Sequence, residues 1–66
     1  MILYFSPDIT ESKAQLLEDE FKHCCKVLRH TVGDHIFITN GKGIKAEAII
    51  SQISKNSAEL DVVSYE

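Results

Sequence analysis

The chain has 66 residues, of which 44% are hydrophobic and 26% charged, with a formal net charge of −3. That is room for one domain spanning residues 1–66, and a chain this short buries only about 60% of its unfolded surface. The composition excludes disordered, collagenous and repeat classes, and no apolar run approaches membrane-spanning length.

In chain order, residues 2–5 form a short β-prone run closed by Ser6-Pro7-Asp8, where Pro7 ends strand pairing. This apolar start lacks a basic flank and is too short for a signal peptide, so a cytoplasmic location is expected, with no membrane partner. The stretch 9–17 is open to two readings. Ser12 with Gln15 could form a capping box that starts a helix early. Alternatively residues 14–17 are extended and the helix starts near Glu18. The second is preferred, because the apolar periodicity becomes clean only from Phe21. Glu18, Asp19 and Glu20 then fall in the first turn, with Arg29 and His30 in the last, the order the helix dipole favours.

Gly33 supplies a permissive backbone where helix passes into strand. Residues 35–39 read as a strand with Ile36 and Ile38 on one face. Asn40-Gly41 is a hairpin signal, lengthened into a loop by Lys42-Gly43. Residues 44–53 form the return strand, whose imperfect alternation predicts a bulge or strong bend. After a turn at 54–57, residues 58–63 form the last strand. Leu60 and Val62 lie on one of its faces, Glu59 and Asp61 on the other. The expected fold is mainly β with one helix: a small barrel, open or closed, built from an antiparallel meander and plugged by the helix. The abrupt stop at Tyr65-Glu66 suggests a fragment.

No acidic residue occurs between Phe21 and Gly33. At roughly 100° per residue, Lys22, His23, Lys26, Arg29 and His30 share one helical arc. Phe21, Cys24, Cys25, Val27 and Leu28 fill the other side and are the expected core face. Residues 22–30 carry +3, while the rest of the chain holds four basic and ten acidic residues. The basic face therefore suits an anion, although a helix-end charge such as Arg29 need bind nothing. Adjacent Cys24 and Cys25 point in different directions along a helix and are expected as reduced, small core residues.

Catalytic signatures are missing. There is no nucleophile elbow, and Gly41-Lys42-Gly43 lies in a hairpin instead of between a strand and a helix. His23 and His30 are two turns apart, about 10 Å along a helix, too far for one metal ion. His35 and Glu47 face adjoining strands and are expected to meet as a surface pair. No catalytic residue and no metal ligand is assigned. RNA or another anion remains, with Lys42 and Lys45 adding charge from the hairpin if it folds beside the helix. Tyr4, Phe5 and Phe37 are either stacking surfaces for bases or, more often at strand positions, core.

The order Tyr4-Phe5-Ser6-Pro7, Glu20, His23, Val27-Leu28-Arg29, Gly33-Asp34 and Gly41-Lys42-Gly43 resembles the N-terminal domain of the ribosomal RNA small subunit methyltransferase E family. That resemblance spans nearly the whole chain. It departs from the pattern at Cys24-Cys25, where smaller or branched apolar residues are expected, and at His30-Thr31.

The resemblance implies a PUA-like β-barrel that helps an S-adenosylmethionine-dependent uridine-N3 methyltransferase grip small-subunit ribosomal RNA. Catalysis, cofactor binding and homodimerisation would belong to a C-terminal SPOUT domain. The present chain would then be neither catalytic nor cofactor-binding by itself. The residues expected to touch RNA are Lys22, His23, Lys26, Arg29 and Lys42. Two of these stay open to other roles: Arg29 to an interdomain contact, His23 to hydrogen bonding within the fold. The rival reading is a standalone protein-interaction or structural barrel, whose basic face meets an acidic protein surface.

Overall fold

Alternating apolar residues produce strands with one buried face, and the chain contains enough of them for a curled sheet. The computed structural model describes residues 3–10 and 12–65. Its strands are β1 (Leu3–Phe5), β2 (Lys13–Leu17), β3 (His35–Thr39), β4 (Lys45–Ile53) and β5 (Ser57–Tyr65). One helix separates β2 from β3: α1 (Glu18–Phe21) continues without a break into a π-helical stretch, Lys22–Val27. The sheet order is β1-β3-β4-β5-β2. The β3-β4-β5 meander is antiparallel, β2 adds antiparallel to β5, and β1 lies parallel to β3.

The mainly-β architecture with one helix is therefore found, and so are the meander and the helix start at Glu18. The capping-box reading fails, because residues 13–17 pair as a strand with β5. Leu17 precedes the helix with no side-chain cap, and Glu18 turns the chain abruptly with φ +51°.

Across neighbouring strands the core pairs large side chains with small ones. Ile36 lies opposite Ala48 and Ile38 opposite Ala46; Leu60 faces Ala14, and Ala58 faces Leu16. All eight are buried. The alanines leave room on the concave side, so a tightly curled sheet can close over Tyr4, Phe21 and Cys24 without overpacking. The bend expected in the return strand appears as register shifts between Glu47 and Ala48 and between Ile50 and Gln52, where extra residues sharpen the twist.

Two edges remain, and short polar contacts draw them together. Ser6 is buried. Its N–H donates to the Thr39 carbonyl at 2.9 Å, and its hydroxyl donates to the Gln15 carbonyl of β2 at 2.8 Å. The free N–H of Phe5 on β1 donates to the Glu20 carboxylate. At the β2 end, the Tyr65 hydroxyl donates to the Thr10 carbonyl and Val62 N–H donates to the Ser12 carbonyl at 2.9 Å, which extends the β5–β2 pairing toward the residues before β2. The sheet is a half-barrel with tied edges.

The helix departs from expectation in winding and in length. Leu28 N–H reaches back to the His23 carbonyl, and His30 N–H to Cys24, both at 3.0 Å. The first is the i→i+5 pattern of a π-helix. An extra residue in the turn rotates the next residues away from the core. Phe21 and Cys24 are buried and Cys25 is half-buried, but Val27 is 66% and Leu28 40% exposed. The expected core face is thus only half right. Arg29 lies beyond the helix, in a left-handed conformation at φ +59°.

Candidate nucleic-acid interface

The helix places Lys22 and Lys26 on the surface, both exposed. Residues four and five apart lie on the same side of a π-wound turn, so Val27 comes up beside them. Together with Phe21 they line an open groove of about 670 Å³. Its opposite part comes from the β4–β5 turn, through Lys55 and Asn56. Lys26 Nζ stands 5.8 Å from the centre of the Phe21 ring, within cation–π range, which restrains the ammonium over the groove. Glu18 and Asp19 line the same groove, so its three lysines outnumber its carboxylates by one.

The other residues expected to touch RNA are dispersed. His23 is exposed, its ring tilted against buried Tyr4 at 5.8 Å between centroids. His30 meets the same Tyr4 edge-on at 6.4 Å. Arg29 is exposed and makes no ion pair with any described residue. Lys42 rides on the β3–β4 loop, outside the lysine groove.

That loop is held by Asn40, whose side-chain oxygen accepts the N–H groups of Lys42 at 2.7 Å and Ile44 at 3.2 Å. Gly41 adopts φ +74° against the Phe5 ring, where an added Cβ would stand 3.0 Å from a ring carbon. Phe5 is 46% exposed, whereas Tyr4 is buried in the core.

Lys55 and Asn56 are the residues that sequence reasoning missed. Nothing local marks them, since a lysine in a polar turn is ordinary. Only the docking of β5 beside β2, which brings Ser57 opposite Leu17, carries that turn to the start of the helix.

Beneath the helix lies a small cluster of titratable groups. Burial, with a contribution from Cys24, pushes the Tyr4 phenol up to about 12. Burial and the neighbouring Cys25 push the Cys24 thiol up to about 12. Both stay neutral, and both cysteines are free. The Tyr4 hydroxyl lies beside the Cys24 thiol but makes no hydrogen bond of ordinary geometry with a described residue.

Asp34 accepts the Thr31 N–H at 2.9 Å and stands 3.1 Å from His30 Nδ1. These contacts, the backbone bond first, hold its carboxyl below the usual range. His35 and Glu47 meet at 2.7 Å as the expected surface pair. Among the described residues no three His, Cys, Asp or Glu side chains gather for a metal ion, and no helix is long and apolar enough to cross a membrane.

A half-barrel of five strands plugged by one helix, with lysines lining a surface groove, defines a small barrel-like domain of the PUA kind. A family model described as the RNA methyltransferase PUA domain matches residues 16–63, and the chain belongs to that family. Its structure is similar to a probable rRNA-methyltransferase from Porphyromonas gingivalis, at 33% identity and a TM-score of 0.89, covering 100% of this chain and 27% of that one.

A predicted RNA methyltransferase from Thermotoga maritima is 26% identical with a TM-score of 0.86, over 97% of this chain and 29% of that one. The ribosomal RNA small subunit methyltransferase E of Neisseria gonorrhoeae, bound to S-adenosyl methionine, shares the fold at 22% identity and a TM-score of 0.81. That match covers 100% of this chain and 28% of the other. The chain thus spans less than a third of the length of these structures. No curated protein sequence matches it.

The PUA-like fold expected from the resemblance is found. The two grooves, one lined by Asp8, Lys13 and Glu59 and the other by Glu18, Asp19 and the three lysines, are open surface clefts. No residue of this chain is assigned to the cofactor.

Proposed function

We propose that this chain is the RNA-gripping domain of an S-adenosylmethionine-dependent methyltransferase acting on N3 of a uridine in small-subunit ribosomal RNA. On this reading the methyl transfer, the cofactor site and a homodimer contact belong to a C-terminal SPOUT domain in the cytoplasmic enzyme. The observation that carries the reading is the grouping of Lys22 and Lys26 in one exposed groove, on a domain whose family serves RNA methyltransferases. Lysines that neutralise phosphates release condensed counterions, so binding must weaken as salt rises. Arg29, exposed beyond the helix end, offers a planar fork for phosphate.

The test is RNA affinity across a salt series. Lys26→Ala and Arg29→Ala are each expected to weaken binding and to flatten the salt dependence by about one counterion. Affinity that does not respond to salt would refute the phosphate contact.

A second reading has its own support. Leu3 and Phe5 of β1 are 37% and 46% exposed and share the outer face with half-buried Phe37, an apolar strip suited to a protein partner. Reversing the charges of Lys22, Lys26 and Arg29 tests the first reading, and Phe5→Asp on the exposed strip tests the second. Loss of RNA binding supports the first, and loss of partner docking alone supports the second.

A further inference from the structure

Three cations from two distant parts of the chain line the groove beside the helix: Lys22 and Lys26 from the helix, Lys55 from the β4–β5 turn. Although Glu18 and Asp19 line the same groove, none of the three lysines forms an ion pair with a described residue. Lys13, by contrast, is already committed to Asp61. The groove lysines therefore keep their donors for an external anion. Val27 lines the same groove, at 66% the most exposed of the described large hydrophobic residues, turned outward by the π-winding. An exposed apolar surface flanked by ammonium groups matches a nucleotide chain, in which charged phosphates alternate with ribose and base.

We propose that the β4–β5 turn forms the second wall of the RNA site: an RNA strand lies between helix and turn, its phosphates shared by Lys22, Lys26 and Lys55. Val27 contacts a ribose or base between these phosphates, and the Asn56 amide adds a donor and an acceptor at the turn. Asp19 opposes phosphate in the same groove, so it limits affinity. This inference rests on the RNA reading above and adds to it a second contact element and a path for the strand.

The experiment measures binding of the chain to a fluorescein-labelled single-stranded RNA from the small-subunit ribosomal sequence, by anisotropy over a salt series. Lys55→Glu is expected to weaken binding about tenfold at low salt, as Lys26→Glu does, and to lower the salt slope by about one or more. Lys55→Arg should retain both affinity and slope. Asp19→Asn should tighten binding several-fold, while Glu59→Gln, in the other groove, should change it less. If Lys26→Glu weakens binding but Lys55→Glu and Asp19→Asn leave it unchanged, the turn is not a wall of the site, and the RNA reading survives without it. Wild-type binding that is absent or indifferent to salt would overturn both.

Discussion

The Ser6 hydroxyl donates to the Gln15 carbonyl at 2.8 Å, joining the end of β1 to the middle of β2, the two outermost strands of the sheet. Open sheet edges invite pairing with other chains. Here one buried serine, together with the Glu20 carboxylate on the Phe5 N–H, occupies edge groups that would otherwise be free. The same tie holds the sheet curled around Tyr4 and the helix, and so fixes the helix that carries Lys22 and Lys26.

Replacing Ser6 by alanine removes the donor and leaves a carbonyl without its partner, so Ser6→Ala is expected to cost about 1–2 kcal/mol. In a domain of this size each kcal/mol lowers Tm by roughly 4–8 °C. Thermal unfolding followed by circular dichroism measures the loss. An unchanged Tm would mean that the Ser6 hydroxyl adds nothing to the tie between β1 and β2.

Tyr4→Phe should behave in the opposite way. The Tyr4 hydroxyl is buried without an ordinary hydrogen bond to a described residue, so deleting it is expected to be neutral or to stabilise by up to about 1 kcal/mol at neutral pH. Folding keeps protons on Cys24 and Tyr4 that the unfolded chain releases near 9.0 and 10.0. Stability is therefore full below those values and declines as pH rises toward about 12. Urea midpoints across this range should fall less steeply in Tyr4→Phe than in wild type. A steeper fall would show that another group drives alkaline unfolding.

Arg29 occupies left-handed space at φ +59°, which costs a side-chain-bearing residue about 1–2 kcal/mol relative to the right-handed form. Arg29→Gly removes that strain, partly offset by glycine's greater freedom when unfolded, and should raise stability by up to about 1 kcal/mol. It should also weaken RNA binding. Chemical denaturation and RNA titration of the same variant read both effects. A loss of stability would show that the arginine side chain holds the turn in place.

Asp34 is expected to titrate below its ordinary 3.8, because the Thr31 N–H and then His30 favour its charged form. Its contribution to stability is full above 3.8 and is lost as pH falls through the lowered value. Carboxyl NMR titration gives the midpoint directly. Asp34→Asn should make unfolding less acid-sensitive below 3.8, and an Asp34 midpoint at or above 3.8 would contradict the geometry at this turn.

Much of the scaffold can be read from residue order. Ile36 and Ile38 alternate with polar or half-exposed neighbours, Asn40-Gly41 turns the chain back, and Leu60 continues the buried face. Acidic residues crowd the helix start at Glu18. These signals are local, since strand alternation and turn chemistry act within a few residues. The family resemblance was also visible, because its motifs sit at fixed spacing along the chain.

The tertiary structure decided the rest. Parallel pairing of Leu3 with Phe37 and the placement of β2 against β5 depend on partners far away in sequence. No periodicity announces the π-winding that turns Val27 outward, since apolar order alone placed Val27 in the core. The meeting of Lys22 and Lys26 with Lys55 results from those long-range choices. Amino-acid order determined which segments could bury a face; closure of the sheet determined which charges met, because only packing brings distant segments together.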